Sequence, residues 1–141
     1  MGYEVQVTVD SKDPHRQAQW WAQALGWRVE PSDEEFIRRM VAAGHAQESD
    51  TTVFEGTLVW REGAAISDPE HPQRPRMLFQ RVPEGKSVKN RMHLDIRVGD
   101  RREEVAEELV AAGASVLHRG QVGPSVWITM ADPEGNEFCV G

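Results

Sequence analysis

Two stretches of this chain follow the same pattern of residues 87 positions apart, without a gap. Each reads as a strand, an aspartate, a helix, a glycine and a second strand, so that Asp13 corresponds to Asp100 and Gly26 to Gly113. A single unit of this kind cannot bury both faces of its sheet. A long period that occurs twice therefore predicts two fused copies of one unit, with a ligand site where the copies meet.

The first copy begins with a clear strand and helix. Residues 3–10 alternate between apolar and polar side chains, which predicts a half-buried strand with Val5, Val7 and Val9 on its core face. Asp13 is expected to cap a helix over 13–25 that ends at Gly26, a typical left-handed C-cap.

The rest of the chain predicts one more helix and a series of strands. Ser32 followed by Glu35 fits a capping box at the start of DEEFIRRMVAAG, and the polar stretch 45–52 is expected to be a loop. The second copy is predicted to carry a helix over 100–112. The remaining strands are expected at 27–30, 56–62, 76–82, 92–98, 114–119, 125–131 and 136–140. Each copy is thus a strand, a helix and three further strands.

Composition excludes several classes of function. The net charge of −7 gives no basic surface for nucleic acid. The single cysteine, Cys139, rules out an internal disulfide and a zinc site with several cysteines. No apolar run is long enough for a membrane helix, and the N-terminal residues lack a signal pattern. We therefore expect a cytoplasmic protein without nucleic-acid or membrane partners.

The doubled βαβββ pattern, the segment HLDIRVGD and the terminal DPEGNEFCV together resemble the vicinal oxygen chelate superfamily of glyoxalases, bleomycin resistance proteins and extradiol dioxygenases. The chain is most similar to its uncharacterised glyoxalase-like branch. The resemblance implies an α+β fold of two βαβββ modules that form one cupped, mixed or antiparallel sheet with the helices on its outer face. The expected domain spans residues 1–141, with modules at about 1–83 and 91–141 and a linker at about 83–90.

The resemblance also implies where a metal site would lie. In metal-dependent members each module supplies two ligands, one from its first strand and one from its last. The first-strand positions here are Gln6 and His93. The last-strand position of the second copy is Cys139, with Glu137 as a substitute, and that of the first copy falls near Gln80. Amide oxygens are weak ligands, so we expect no bound cofactor, and a divalent metal on this set is the alternative.

The same resemblance suggests a ligand cavity with an aromatic wall. Trp60 and Trp127 fall in hairpins that the repeat makes equivalent, and aromatic walls bind flat or apolar molecules through a large contact area. His93 and Glu137 are the candidate acid and base, whereas Cys139 is expected to be an unreactive thiol. Four other histidines are interpreted as surface residues: His15, His45, His71 and His118.

Two functions remain open at this point, beside a third possibility of an interaction protein whose cup is vestigial. The first is a small-molecule-binding protein that performs no chemistry, in the manner of bleomycin resistance proteins. The second is an enzyme, either a metal-dependent lyase, isomerase or dioxygenase or one that uses His93 and Glu137. The predicted binding residues are the same for both, namely Gln6, Trp60, Gln80, His93, Trp127, Glu137 and Cys139. Exposed sheet edges predict a homodimer.

Overall fold

The computed structural model describes residues 1–141, which divide into two compact units, Met1–Glu84 and Gly85–Gly141. The elements of the first unit are β1 (Val7–Ser11), α1 (Pro14–Leu25), β2 (Arg28–Val29), α2 (Glu34–Ala42), β3 (Thr51–Phe54), β4 (Thr57–Trp60), β5 (Gly63–Ser67) and β6 (Met77–Arg81). Those of the second unit are β7 (Asp95–Ile96), α3 (Arg102–Ala111), β8 (Ser115–Val122), β9 (Ser125–Ala131) and β10 (Glu137–Val140). Short 3₁₀ turns lie at Glu48–Asp50 and Gly99–Arg101. No helix combines the length and the apolar character needed to cross a membrane.

Each unit contains one mixed four-stranded sheet, and the two sheets have the same strand order. The order is β1-β6-β5-β2 in the first unit and β7-β10-β9-β8 in the second. In both sheets the first pair of strands is parallel and the other pairs are antiparallel. The predicted α+β fold with two βαβββ modules is confirmed. The first module carries an insertion, because α2 and the separate two-stranded ribbon β3-β4 lie between β2 and β5.

Helix α1 forms as its sequence predicts. The Asp13 carboxylate accepts a hydrogen bond from the backbone N–H of Arg16 at the first turn. Gly26 ends the helix with a φ of 67°, a left-handed conformation that glycine adopts without steric strain. The helix buries Ala18, Trp21 and Ala22 at helical spacing. Its contacts with β5 and β6 place the core of the first unit between helix and sheet.

Two helix starts differ from the sequence predictions. Asp33, not Ser32, caps α2 by accepting a hydrogen bond from the backbone N–H of Phe36 at 3.0 Å. The Ser32 hydroxyl instead donates to the carbonyl of Leu58 at 3.4 Å. Asp100, the counterpart of Asp13, lies in a 3₁₀ turn, and α3 starts without a side-chain cap. The turn shifts the start of α3 to Arg102.

The strand predictions were least accurate where a strand is short or has only small side chains. The first strand begins at Val7, so Val5 precedes the sheet and is exposed instead of lying on the core face. Val7 is exposed as well, since β1 is the outer strand of its sheet. The stretch 45–52 is not a simple loop, because β3 begins at Thr51. Strand β5 has the sequence GAAIS, which lacks the alternation that identifies strands.

Candidate functional site

The second unit has an open pocket of about 740 Å³ on one face of its sheet. Asp95 on β7 and Cys139 on β10 are partners in the parallel register, so their side chains leave the sheet on the same side. His93 precedes Asp95 by two residues and faces the same way. Thr129 on β9 is the antiparallel partner of Cys139 and completes the row. Strand pairing thus brings His93 and Asp95 together with Thr129 and Cys139, which are distant from them in the sequence.

These polar groups form a compact cluster of His93, Asp95 and Cys139, here called the polar triad. The Asp95 carboxylate accepts a hydrogen bond from Nδ1 of His93 at 2.9 Å. One donor atom from each of the three residues lies within 4.8 Å of the other two. The Thr129 hydroxyl is 3.5 Å from the Cys139 sulfur and is nearly buried, with 9% of the residue exposed. The triad combines an imidazole, a carboxylate and a thiol at one end of the pocket.

Trp127 forms an aromatic wall of the same pocket. It pairs across the strands with Gly120 on β8, and its indole lies directly over that glycine. A Cβ atom at position 120 would overlap the indole ring, so the glycine is needed for this ring position. The ring therefore rests on the backbone of β8, an arrangement that fixes an aromatic surface for a ligand.

Trp60 does not occupy the equivalent position in the first unit. It ends β4 in the inserted ribbon, whereas the strand equivalent to that of Trp127 is β5. Ile66 pairs with Met77 as Met130 pairs with Phe138, so Ile66 corresponds to Met130. Three residues earlier in each strand, Gly63 corresponds to Trp127. The predicted equivalence of Trp60 and Trp127 was wrong, since the repeat does not extend into the inserted ribbon.

Glu137 also lines the pocket, but its carboxylate is fully engaged. One oxygen accepts a hydrogen bond from Lys86 Nζ at 3.0 Å and the other from the backbone N–H of Asn90 at 3.0 Å. The Asn90 hydrogen bond, followed by the Lys86 ammonium, outweighs the opposing effect of burial and lowers the pKa of Glu137 to about 2. A carboxylate with that pKa is a poor proton acceptor near neutral pH. The geometry supports a structural role, in which these three residues form a clasp that fixes the chain after Gly85 against β10.

Gln6 and Gln80 lie outside the lining of both pockets described here. The amide oxygen of Gln6 accepts a hydrogen bond from Arg76 at 3.2 Å, and Gln80 is exposed. The strand register further shows that Gln80 is not the counterpart of Cys139. Cys139 pairs with Asp95 on β7. Thr8 is the counterpart of Asp95 in the first unit, and it pairs with Leu78.

The two units differ in the length of the turn before the last strand. Both turn at an Asp-Pro-Glu sequence, which begins at Asp68 in the first unit and at Asp132 in the second. From there to Leu78 is ten residues, but from Asp132 to Cys139 it is seven. Counting seven residues from Asp68 would end at Pro75, so the repeated sequence marks the turn but does not give the register. The pairing of the strands is needed to identify Leu78.

The first unit has a pocket of its own, of about 500 Å³, which contains Trp60. His15 also lies here, and its ring nitrogen donates to the carbonyl of Trp60 at 2.7 Å while its ring stacks on Phe54. The carboxylates in the lining already have partners. Glu30 pairs with Arg76 at 3.1 Å, Asp33 caps α2, and Glu55 accepts two hydrogen bonds from Gln19. This pocket therefore offers a shaped aromatic surface but no free acidic group.

Sequence reasoning found part of the second-unit site. His93, Trp127, Glu137 and Cys139 were predicted and do line one pocket. Their grouping with Gln6, Gln80 and Trp60 around a single cavity remains a prediction. The reasoning missed Asp95, which pairs with Cys139 only once β7 and β10 are aligned. It also interpreted His15 as a surface residue, although His15 is half-buried and lines a pocket. His118 is exposed, as expected, and lines the second-unit pocket.

A family model described as a glyoxalase-like domain matches residues 6–141, which is nearly the whole chain. The chain belongs to the glyoxalase-like domain family. The match confirms the resemblance seen in the sequence. No significant match was found among curated proteins.

Several solved structures share the fold of this chain. A glyoxalase/bleomycin resistance protein/dioxygenase family enzyme from Burkholderia phytofirmans PsJN has a TM-score of 0.63 at 13% identity, with 96% of this chain and 94% of that chain covered. The fosfomycin resistance protein FosX from Mesorhizobium loti has a TM-score of 0.63 at 11% identity, with coverage of 99% and 90%. TioX from Micromonospora sp. ML1 has a TM-score of 0.52 at 18% identity, with coverage of 99% and 97%. At these identities the likeness shows the fold alone.

The four-ligand metal set that the resemblance implies does not fit this glyoxalase-like chain. The register puts Leu78 at the last-strand position of the first unit, and an aliphatic side chain cannot bind a metal. The amide oxygen of Gln6, at the first-strand position, is already bonded to Arg76. Only the second unit retains donor groups at the expected positions, His93 and Cys139.

Proposed function

We propose that this protein binds a small organic ligand with an aromatic or apolar body and an acidic group, in the pocket of the second unit. The supporting observation is that Trp127 and the polar triad line one pocket of about 740 Å³. Such a pocket is in the size range that encloses small ligands, and it combines an apolar wall with a few polar groups that set orientation.

The charges around the pocket favour an acidic ligand. Lys89 and Arg97 line it, and neither side chain has a partner within the chain. Among the acidic residues of the lining, Glu137 is paired with Lys86 and Asp95 is bonded to His93, whereas Asp100 has no partner. Arg102 also lines the pocket and donates a hydrogen bond only to the carbonyl of Gly99, so the free positive charges of the lining outnumber its free negative charge. A carboxylate, sulfonate or phosphonate on the ligand would pair with these cations.

Two related dyes test this proposal in the presence of a chelator. 1-Anilinonaphthalene-8-sulfonate carries an acidic group, and N-phenyl-1-naphthylamine is its neutral analogue. We expect Trp127→Ala to weaken both dyes about ten-fold, because their shared aromatic body loses its contact surface. Arg97→Gln and His93→Ala should weaken the sulfonate dye several-fold and leave the neutral dye nearly unchanged. Fluorescence titration measures all of these affinities.

Two control variants lie outside both pockets. Arg28→Gln removes an exposed arginine of β2 and His45→Ala an exposed histidine of the first unit, and neither should change dye binding. Circular dichroism establishes that every variant is folded. Unchanged affinity of both dyes for Trp127→Ala would contradict the proposal. Equal loss of both dyes for Arg97→Gln would reject the acidic class of ligand.

A metal-dependent lyase, isomerase or dioxygenase is the second candidate. The observation in its favour is the polar triad, whose imidazole, carboxylate and thiol are ligand types that enzymes use for divalent metals. The dyes do not test this candidate, because the chelator removes any metal. It depends instead on whether the purified protein binds a metal ion.

A further inference from the structure

We propose that the first unit carries a second binding site, with its own lining residues, for a small organic cation with an aromatic or N-methylated body. The site is the first-unit pocket of about 500 Å³ that contains Trp60. Much of its lining belongs to the inserted segment between β2 and β5, which has no counterpart in the second copy. The site is therefore a property of the insertion and not of the repeat.

Helix α1 holds the ribbon β3-β4 at two points, so the pocket is already formed without a ligand. The ring of His15 donates to the carbonyl of Trp60 at 2.7 Å. Gln19 lies one helical turn later on the same face of α1 and donates to the two carboxylate oxygens of Glu55 at 3.1 and 3.2 Å. A ligand that enters a preformed pocket does not have to order the residues around it, which favours binding.

Aromatic rings give the pocket a surface that attracts cations. Phe54 and Trp60 are both half-buried in its lining, and the ring of His15 stacks on Phe54 with the centroids 5.5 Å apart. The face of an aromatic ring is electron-rich, and the indole of tryptophan binds cations best. Phe36 also lines the pocket, but the Arg39 guanidinium already lies 5.9 Å from the centroid of its ring. Phe54 and Trp60 are therefore the rings assigned to the ligand.

The charges of the lining favour a cation as well. Three carboxylates line the pocket, those of Glu30, Asp33 and Glu55, against one guanidinium, that of Arg76. Arg76 and Glu30 form an ion pair at 3.1 Å and cancel each other. Asp33 and Glu55 accept hydrogen bonds from uncharged donors, a backbone N–H and a side-chain amide, so their negative charges remain. The pocket thus has the opposite charge preference to that of the second unit.

The backbone of Glu55 is a further sign that its carboxylate is positioned for binding. Glu55 is the one non-glycine residue with a left-handed backbone, at a φ of 48°, and with Gly56 it forms the turn between β3 and β4. Asparagine or glycine usually occupies the first position of such a turn, because a longer side chain is strained there. Strain of this kind concentrates at functional sites. The longer side chain is what reaches Gln19.

Two acridine dyes test the site at pH 8. N-methylacridinium is a permanent cation, and acridine is its uncharged analogue. We expect the protein to bind the cation at least about ten-fold more tightly at low ionic strength, because the carboxylates attract only the charged dye. Trp60→Ala should weaken both dyes about ten-fold by removing an aromatic wall. Fluorescence titration measures each Kd.

Three charge variants separate a binding role from a structural one. Glu55→Gln and Glu55→Asn should weaken the cation several-fold and leave acridine unchanged. Since asparagine suits the left-handed turn, Glu55→Asn should lose this affinity while its Tm stays the same or rises. Arg76→Gln should act in the opposite direction and bind the cation several-fold more tightly, because Glu30 loses its positive partner. Damage to the fold cannot tighten binding.

Two control variants remove similar groups outside this pocket. Glu48→Gln changes an exposed carboxylate before β3, and Trp127→Ala changes the wall of the second-unit pocket, so neither should alter N-methylacridinium affinity by more than about two-fold. Circular dichroism shows that every variant is folded. Equal affinity of the parent for both dyes, unchanged binding by Trp60→Ala, loss of both dyes in the Glu55 variants, or loss of the cation in Trp127→Ala would each overturn the proposal. The sulfonate dye should bind Trp60→Ala as it binds the parent, so failure of either proposal leaves the other standing.

Discussion

At the scale of single residues, two sets of contacts build the second-unit pocket, namely the clasp of Glu137 with Lys86 and Asn90 and the pairing of Asp95 with Cys139. Glu137 was recognised as a pocket residue, yet its bonds to Lys86 and Asn90 depend on how the chain after Gly85 lies on β10. Asp95 was not among the predicted site residues. Its pairing with Cys139, 44 positions away, follows from strand register, and single-sequence alternation carries no information about register.

The pKa of Glu137 leads to a prediction about stability. Glu137→Gln should lower the free energy of unfolding at pH 7 by about 1–3 kcal/mol, because a half-buried charged hydrogen-bond acceptor is lost. The folded-state pKa of about 2 is below the unfolded value, so this stabilisation is present above about pH 4.5. It should decline as the pH falls and disappear near pH 2. Urea unfolding of both proteins over this range measures the difference.

Glu107→Gln is the matched control for this prediction. It changes an exposed glutamate of α3 in the same unit and should alter stability by less than about 0.5 kcal/mol at every pH. If Glu137→Gln were as stable as the parent at pH 7, or if the difference between them persisted at pH 2, the clasp would not be a source of stability.

At the scale of elements, amphipathic helices and long alternating strands were predictable, but short or featureless strands were not. Helix α1 has a capping aspartate, a helical stripe and a terminal glycine, which together fix its limits. Strand β5 has Ile66 as its one large side chain and no alternation, so tertiary pairing with β6 determines it. The pair β8-β9 adds a feature that no periodicity shows, the indole of Trp127 lying over Gly120.

Gly120→Ala tests whether this contact positions the aromatic wall. The new methyl group would overlap the indole, so Trp127 must leave its position. We expect both dyes to bind about as weakly as they do to Trp127→Ala, measured by the same fluorescence titration. Ser115→Ala, at an exposed position of the same strand, should bind the dyes normally. Normal dye binding by Gly120→Ala would mean that the ring position is unimportant for binding.

At the scale of the whole molecule, the 87-residue repeat was enough to predict two βαβββ modules. It was not enough to predict how they differ, because α2, β3 and β4 occupy an insertion with no counterpart in the second copy. Assembly is likewise unspecified by the repeat. Strand β8 is an eight-residue outer strand that exposes Leu117 and Val122. Its outer edge pairs with no other strand of the sheet and is therefore available to a second chain.

We therefore predict a homodimer that involves β8. Sedimentation equilibrium at micromolar concentration should give the mass of two chains. Leu117→Lys should shift the protein to one chain, because a charge on an exposed edge strand opposes edge pairing. Val53→Lys, at a comparably exposed valine of β3, should leave the dimer intact. A single-chain mass for the parent protein would exclude this assembly, and dimerisation of Leu117→Lys would exclude β8 as its interface.

The inserted ribbon β3-β4 has a consequence for the history of the chain. After a gene segment is duplicated, selection needs only one copy to keep an ancestral activity, and the redundant copy can accept insertions and lose reactive side chains. The two copies differ in these respects, since the first carries the ribbon and has Leu78 where its sibling has Cys139. Mutational tolerance should therefore be unequal along the chain, so laboratory evolution of new binding specificity has more freedom in the ribbon than in the strands that follow Gly85.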